Sequence, residues 1–171
     1  MGSNVTIVKI DDKNIRLYKV KLLQTFNFHP DLERITRERG LLEEIIKLVQ
    51  KNKTKLYLLK NSSEILGLIA LSASSIEDFP VIQVDYLFVD YKYRKVYIDE
   101  LEGTISNYLL LFAMNVAENV KETIGLKYLA LYPDAQSEKL ISHYKEMGFS
   151  VLNKYWLFTQ LSHIKPSCFC V

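Results

Sequence analysis

Residues 126–161 read LKYLALYPDAQSEKLISHYKEMGFSVLNKYWLFTQL, and their order decides the fold. The run LKYLALYP (126–133) is short, apolar and closed by Pro133, which predicts a strand. SEKLISHYKEMG (137–148) changes to helical spacing, with Ser137 suited to an N-cap and Gly148 to a C-terminal stop. VLNKYWLFTQL (151–161) returns to strand character and reads as one closing strand.

Upstream, Ile98, Leu101, Ile105, Leu109, Phe112, Val116 and Val120 recur at steps of three and four. That spacing predicts one long amphipathic helix from Ile98, carrying Gly103 inside it at some cost. Before it, VIQVDYLFVD (81–90) is rich in β-branched and aromatic residues and apolar on both faces, as a central strand is. TKLYLLK (54–60) and EILGLIALSAS (64–74) flank NSS, a hairpin signature. VTIVKI (5–10) alternates as a strand. Helical runs follow over 14–26 and from His29 to Gln50, the second readable as one helix or as two divided at Gly40. Hairpins come first and a β-α-β-α-β unit follows. The expected fold is α/β, a mixed and mostly antiparallel sheet flanked by helices. It forms one domain over 1–163, with a tail over 164–171.

The chain has 171 residues, 49% apolar and 25% charged, a globule able to bury roughly two-thirds of its unfolded surface. A net charge of +2 gives bulk electrostatics little hold on nucleic acid, so no nucleic-acid partner is expected. No apolar run approaches the roughly 20 residues of a membrane span, so no membrane partner is expected. Cys168 and Cys170 are too few to hold a metal, and a reducing, cytoplasmic setting is the default. CFCV (168–171) fits a prenylation pattern and MGSNVT (1–6) loosely fits a myristoylation pattern. Both equally read as a plain tail and a cloning remnant.

The 126–161 stretch resembles the end of the GNAT acetyltransferase fold. In that family a strand leads into a helix that closes on an aromatic or Tyr, two or three residues and Gly-Phe, before a last strand. Here that signature is Tyr144, Lys145, Glu146, Met147, Gly148, Phe149. VIQVDYLFVDYKYRK (81–95) is similar to the family's central strand running into its acetyl-CoA loop, and the element order agrees over nearly the whole chain. The resemblance implies transfer of an acetyl group from acetyl-CoA, as co-substrate, to a primary amine. It implies that backbone groups of Leu87, Phe88 and Val89 pair with the pantetheine arm and that Arg94 and Lys95 grip the pyrophosphate. Ser137 stands where the family often has an Asn on the cofactor. Tyr144 takes the position of the acid that protonates the departing thiolate. The partners implied are acetyl-CoA and an amine acceptor, and a homodimer is compatible with the fold.

Elementary chemistry asks for similar groups. A neutral amine must attack the thioester, so something must take a proton near neutral pH. Asp85, the one carboxylate inside the central strand, is the candidate base; it equally reads as an ordinary hydrogen-bonded strand residue. Tyr144 reads as a proton donor or as a half-buried aromatic packing its helix. Glu77 and Asp78 read as a solvated loop. His29, His143 and His163 lack a second ligand for a metal, and His143 points about 100° away from Tyr144.

The loop departs from the family pattern, Arg/Gln-x-x-Gly-x-Gly/Ala. From Arg94 the sequence runs Arg94-Lys95-Val96-Tyr97-Ile98-Asp99, with Tyr and Asp in the glycine places. A second alignment slides the motif to LEGTISNYLL (101–110), with Thr104 and Ser106 in those places, no Arg and a longer loop. The periodicity from Ile98 favours the first, with the helix lengthened at its start by about two turns. Asp99, Glu100 and Glu102 then sit in its first turns, where they oppose a bound phosphate. Lys92, Arg94 and Lys95 are left to bind phosphate through side chains. Three functions are compatible with this reading: an active N-acetyltransferase with a Tyr general acid, a GNAT-like binding or dimerisation module without acetyl-CoA activity, and an acyltransferase using another carrier.

Overall fold

The computed structural model describes residues 5–133 and 137–161. The CFCV motif, most of MGSNVT, His163 and the 164–171 tail lie outside them. The strands are β1 Thr6–Ile10, β2 Lys55–Lys60, β3 Ile65–Ile76, β4 Phe79–Val89, β5 Tyr97–Ile98, β6 Gly103–Thr104, β7 Tyr128–Leu131, β8 Ser150–Val151 and β9 Leu157–Gln160. The helices are α1 Ile15–Thr25, α2 Leu32–Gln50, α3 Ile105–Lys121 and α4 Glu138–Glu146. Seven strands run in the order β1-β2-β3-β4-β7-β9-β8, and β5-β6 form a separate two-stranded ladder. The β4-β7 ladder is parallel, whereas β1-β2, β2-β3, β7-β9 and β8-β9 are antiparallel. This is the mixed, mostly antiparallel sheet expected. The chain divides into two compact units, Met1–Ser72 with Asp85–Leu110, and Ala73–Val84 with Leu111–Val171.

In the first unit, α1 and α2 bury Ile15, Leu22, Leu42 and Ile46 in a cluster with Leu56, Leu58, Leu68 and Phe88 from the strands. Asp31 caps α2 by accepting the Arg34 N–H at 3.0 Å. Of the two alternatives, one helix forms: α2 runs unbroken through Gly40, where no atom lies within 4 Å of the place a Cβ would take. An exposed glycine inside a long amphipathic helix costs only about 1 kcal/mol, less than the packing of its apolar face returns.

In the second unit, β3 turns into β4 through Glu77 and Asp78, both left-handed at φ 49° and 68°. Two such residues make the two-residue hairpin turn that normally asks for Asn-Gly. Both residues are exposed, so the solvated loop expected here takes the form of a tight turn. VLNKYWLFTQL is not one strand. Asn153 accepts the Tyr155 and Trp156 N–H groups, each at 3.0 Å, and folds the segment back so that β8 pairs with β9. Asparagine makes such local turns readily, and here it overrides the apolar run.

The helix expected from Ile98 starts seven residues later. Ile98 lies in β5, Asp99–Leu101 form a 3-10 turn, Glu102 is left-handed at φ 50°, and Gly103 opens β6 before α3 begins at Ile105. The apolar spacing of Ile98 and Leu101 fits a short hairpin as well as a helix, because two residues cannot distinguish periods. The longer-loop alignment, with Thr104 and Ser106 at the helix start, is the one the backbone follows.

Candidate functional site

The first unit places the end of β4 and the loop after it. Leu87, Phe88 and Val89 lie beyond the β4-β7 ladder, which ends with Val84 paired to Leu131. Gly67 of β3 makes a close approach possible here. A Cβ on it would stand 2.9 Å from the Phe88 carbonyl oxygen and 2.9 Å from Ile105 Cγ2 in the first turn of α3. The sequence analysis passed over Gly67; a glycine inside an otherwise apolar strand was the available signal.

Asp90 ends the strand as a carboxylate only 3% exposed. It accepts the backbone N–H of Asn27 at 2.9 Å, both contacts of the Asn27 amide at 3.1 Å, and the Lys92 N–H at 3.0 Å. The Tyr91 N–H returns to the Asn27 carbonyl at 2.8 Å. Asp90 was also missed, since nothing in the sequence distinguishes a buried carboxylate from a solvated one at a strand end.

Arg94 is committed. Its Nη1 and Nη2 donate to Glu38 Oε1 and Oε2, both at 2.9 Å, and its Nε donates to the Val89 carbonyl at 3.0 Å. The guanidinium lies over Phe88 and Tyr91, 5.1 and 5.5 Å from their ring centres. Burial works to raise Glu38, but Arg94 and the His29 N–H outweigh it and hold the carboxyl below its ordinary value. Lys92 pairs with Glu64 at 3.1 Å, and the Tyr93 hydroxyl contacts the same carboxylate. Lys95 is exposed and makes no ion pair among the described residues. It is left-handed at φ 65°, and the Val96 N–H reaches the Tyr93 carbonyl at 3.2 Å, which makes Tyr93–Val96 a type II turn.

The first turn of α3 contains no acid. Thr104 Oγ1 accepts the Asn107 N–H at 3.4 Å and lies 3.1 Å from Ser106 Oγ. Asp99, Glu100 and Glu102 belong to the preceding turn and its flanks, so the acids expected inside the first turns of this helix lie ahead of it.

Asp85 accepts Ser72 Oγ at 2.8 Å on one oxygen and Thr54 Oγ1 at 2.6 Å on the other. The Thr54 hydroxyl also stands 3.0 Å from the Leu71 carbonyl, so its single proton serves two acceptors. Both Asp85 oxygens are engaged.

The second unit places Tyr144 and Ser137 on α4. Ser137 is the cap, its Oγ accepting the Leu140 N–H at 3.3 Å. Gly148, at φ 89°, ends the helix, and the Phe149 N–H returns to the Tyr144 carbonyl at 3.0 Å. Phe149, buried, meets the edge of the Tyr144 ring at 5.9 Å. The Tyr-x-x-x-Gly-Phe signature is thus also a helix stop with its apolar clasp. The Tyr144 hydroxyl makes no hydrogen bond among the described residues, and burial pushes it above the ordinary phenol value. It stays protonated at neutral pH.

His29 Nδ1 accepts the Asp31 N–H at 3.1 Å, a local turn contact. Among the described residues, no three His, Cys, Asp or Glu cluster to hold a metal, and no helix is long and apolar enough to cross a membrane.

No protein-family model and no curated protein sequence matches the chain. Solved structures do. The AtaTR complex bound with acetyl-CoA superposes at a TM-score of 0.71 with 21% identity, covering 94% of this chain and 95% of that one. AtaT complexed with acetyl-methionyl-tRNAfMet gives 0.66 and 17%, covering 92% and 95%. The KacTA–DNA complex gives 0.66 and 20%, covering 92% and 94%. AtaT and KacT have also been solved as tyrosine-to-phenylalanine variants. The chain has the GNAT fold. The expectation of no nucleic-acid partner does not stand: proteins of this fold are seen with tRNA and, as AtaT-AtaR and KacTA complexes, with DNA. Net charge is a weak ground for that expectation, because binding follows the local distribution of charge, which a sum over the chain averages away.

Proposed function

We propose that this chain is an N-acetyltransferase that uses acetyl-CoA to acetylate a primary amine. Tyr144 carries the reading: a half-buried phenol, protonated at neutral pH and with no hydrogen-bond partner among the described residues, on α4 of a fold shared with AtaT. The residues present fit the cofactor. Leu87, Phe88 and Val89 lie outside the β4-β7 ladder, Lys95 is an exposed cation with no ion pair among the described residues, and α3 begins with N–H groups and hydroxyls rather than acids. Ser137 Oγ retains a proton to donate. Arg94 spends three of its five N–H groups on Glu38 and Val89, which leaves it a smaller share of any phosphate.

Acetyl-CoA would supply an activated thioester. As the amine nitrogen bonds to the carbonyl carbon and the C–S bond breaks, Tyr144 gives its proton to the sulfur. Asp85 is the candidate acceptor of the amine's proton, its two oxygens held by the Ser72 and Thr54 hydroxyls. Thermal unfolding with acetyl-CoA, CoA and desulfo-CoA tests the reading. A ligand at 100 times its Kd adds about 2.7 kcal/mol, and no shift with any of the three would sink the enzyme and favour a binding module.

A second reading concerns the acceptor, an amine carried on tRNA. It is favoured by the AtaT complex with acetyl-methionyl-tRNAfMet and by residues 13–30, which hold Lys13, Arg16, Lys19 and Lys21 and no acid. Transfer of labelled acetyl to a mixture of aminoacyl-tRNAs, compared with spermidine, decides between a carried and a free amine.

A further inference from the structure

We infer that Arg94 is a positioning residue, which with Asp90 ties the loop after β4 to the segment joining α1 to α2 and to the first turns of α2, and passes the state of that loop to them. The inference rests on the acetyl-CoA reading only for what fills the loop; the tie itself stands on contacts. Two carboxylates make it. Asp90, 3% exposed, grips the Asn27 backbone and amide, and Tyr91 answers with its own N–H to the Asn27 carbonyl. Eleven residues after Asn27, in the second turn of α2, Glu38 grips Arg94 through both oxygens and also accepts the His29 N–H at 3.1 Å. The Tyr86 hydroxyl donates to the Glu38 carbonyl at 3.1 Å, and the His29 ring meets Tyr91 edge-on at 5.2 Å.

The pair is not a surface decoration. The Arg94 and Glu38 side chains are 24% and 15% exposed, and the contact is a bidentate fork, the strongest and most directional form of this ion pair. Asp90 and Arg94 lie four residues apart and hold opposite ends of the 27–38 segment. A shift of the loop therefore cannot leave that segment in place. Arg94 Nε also sits on the Val89 carbonyl, one of the groups proposed to meet the pantetheine. An occupant that draws on Val89 changes the Arg94 contact, and Arg94 moves Glu38. Phosphate binding falls instead to Lys95 and the α3 N-terminus.

Hydrogen exchange read by mass spectrometry, with and without CoA, tests this on the wild type, Glu38→Gln, Arg94→Lys and the charge-swapped pair E38R/R94E. Without ligand, both single variants should speed exchange at 27–29 by roughly tenfold, and the swap should restore it at Asn27, held by Asp90, but not at His29, whose N–H loses its carboxylate acceptor. With CoA, the wild type should gain protection at 27–29, while Glu38→Gln should bind CoA within about threefold of wild type yet gain none there. Unchanged exchange in the unliganded single variants overturns the tie. CoA protection of 27–29 that persists in Glu38→Gln overturns the coupling. A tenfold loss of CoA affinity in Arg94→Lys with unaltered exchange makes Arg94 a phosphate ligand instead. Should the wild type fail to bind CoA, the acetyltransferase reading fails, and the unliganded arm still decides the tie.

Discussion

Replacing Gly67 with alanine puts the packing at the end of β4 to a direct test. The new Cβ would stand 2.9 Å from the Phe88 carbonyl oxygen, 2.9 Å from Ile105 Cγ2 and 3.2 Å from Leu109 Cδ1. Carbon atoms prefer separations of about 3.5–4.0 Å, so the overlap with Ile105 is about 0.6 Å. Side-chain rotation does not relieve the Phe88 contact, because that oxygen belongs to the backbone. Either β4 shifts or the first turn of α3 lifts away. Overpacking of this kind costs about 1–3 kcal/mol, even though a buried methyl and a stiffer unfolded chain each return a fraction. At about 2–4 °C per kcal/mol for a chain of this size, the midpoint should fall by roughly 2–12 °C. Thermal unfolding followed by circular dichroism measures it, and urea titration should show a lower midpoint with an unchanged slope. An unaltered or raised midpoint would show that Gly67 is not needed for the approach of α3. Because α3 begins at that contact, CoA affinity should also weaken.

Lys95→Gly should raise stability by about 1 kcal/mol, since a type II turn asks for glycine at the left-handed place. It should also weaken CoA binding, and calorimetry reads both; a loss of stability refutes the turn assignment. Tyr144→Phe should cut turnover by about 10²-fold or more while leaving the melting midpoint within about 1 °C, because the hydroxyl has no partner among the described residues to lose. Its pKa is raised, so the donor is present below the ordinary phenol value of 10.0 and is lost only as pH rises through the higher folded value. A turnover limb falling near pH 8 would exclude it as the donor. Glu38 is depressed from 4.5, so the stability it lends is complete above that value and drains as pH falls through the lower folded one. Glu38→Gln should flatten that acid limb in pH-dependent unfolding, and an unchanged limb would assign it elsewhere.

The sequence by itself determined the order of elements, the sheet type and the fold, because those follow from apolar spacing, capping and turn residues that act over a few neighbours. Ser137, Gly148 and Phe149 did what their types and places announce: a cap, a left-handed stop and an apolar clasp. Local chemistry went unread where an atypical residue made a familiar shape. Glu77 and Asp78 form a hairpin turn without Asn or Gly, and Asn153 folds an apolar run into two strands. At the site, tertiary structure decided what type and spacing could not. The helix start moved to Ile105 because β6 pairs with β5, a contact that a helical period over two residues cannot foresee. Arg94 looked available to a phosphate until Glu38, 56 positions away in sequence, was found to hold it. Asp90 drew no notice in the sequence, and its role appears only with Asn27, 63 positions away, whose N–H it accepts. A charge is an available ligand or a structural tie according to its neighbours, and those neighbours arrive only when distant parts of the chain fold together.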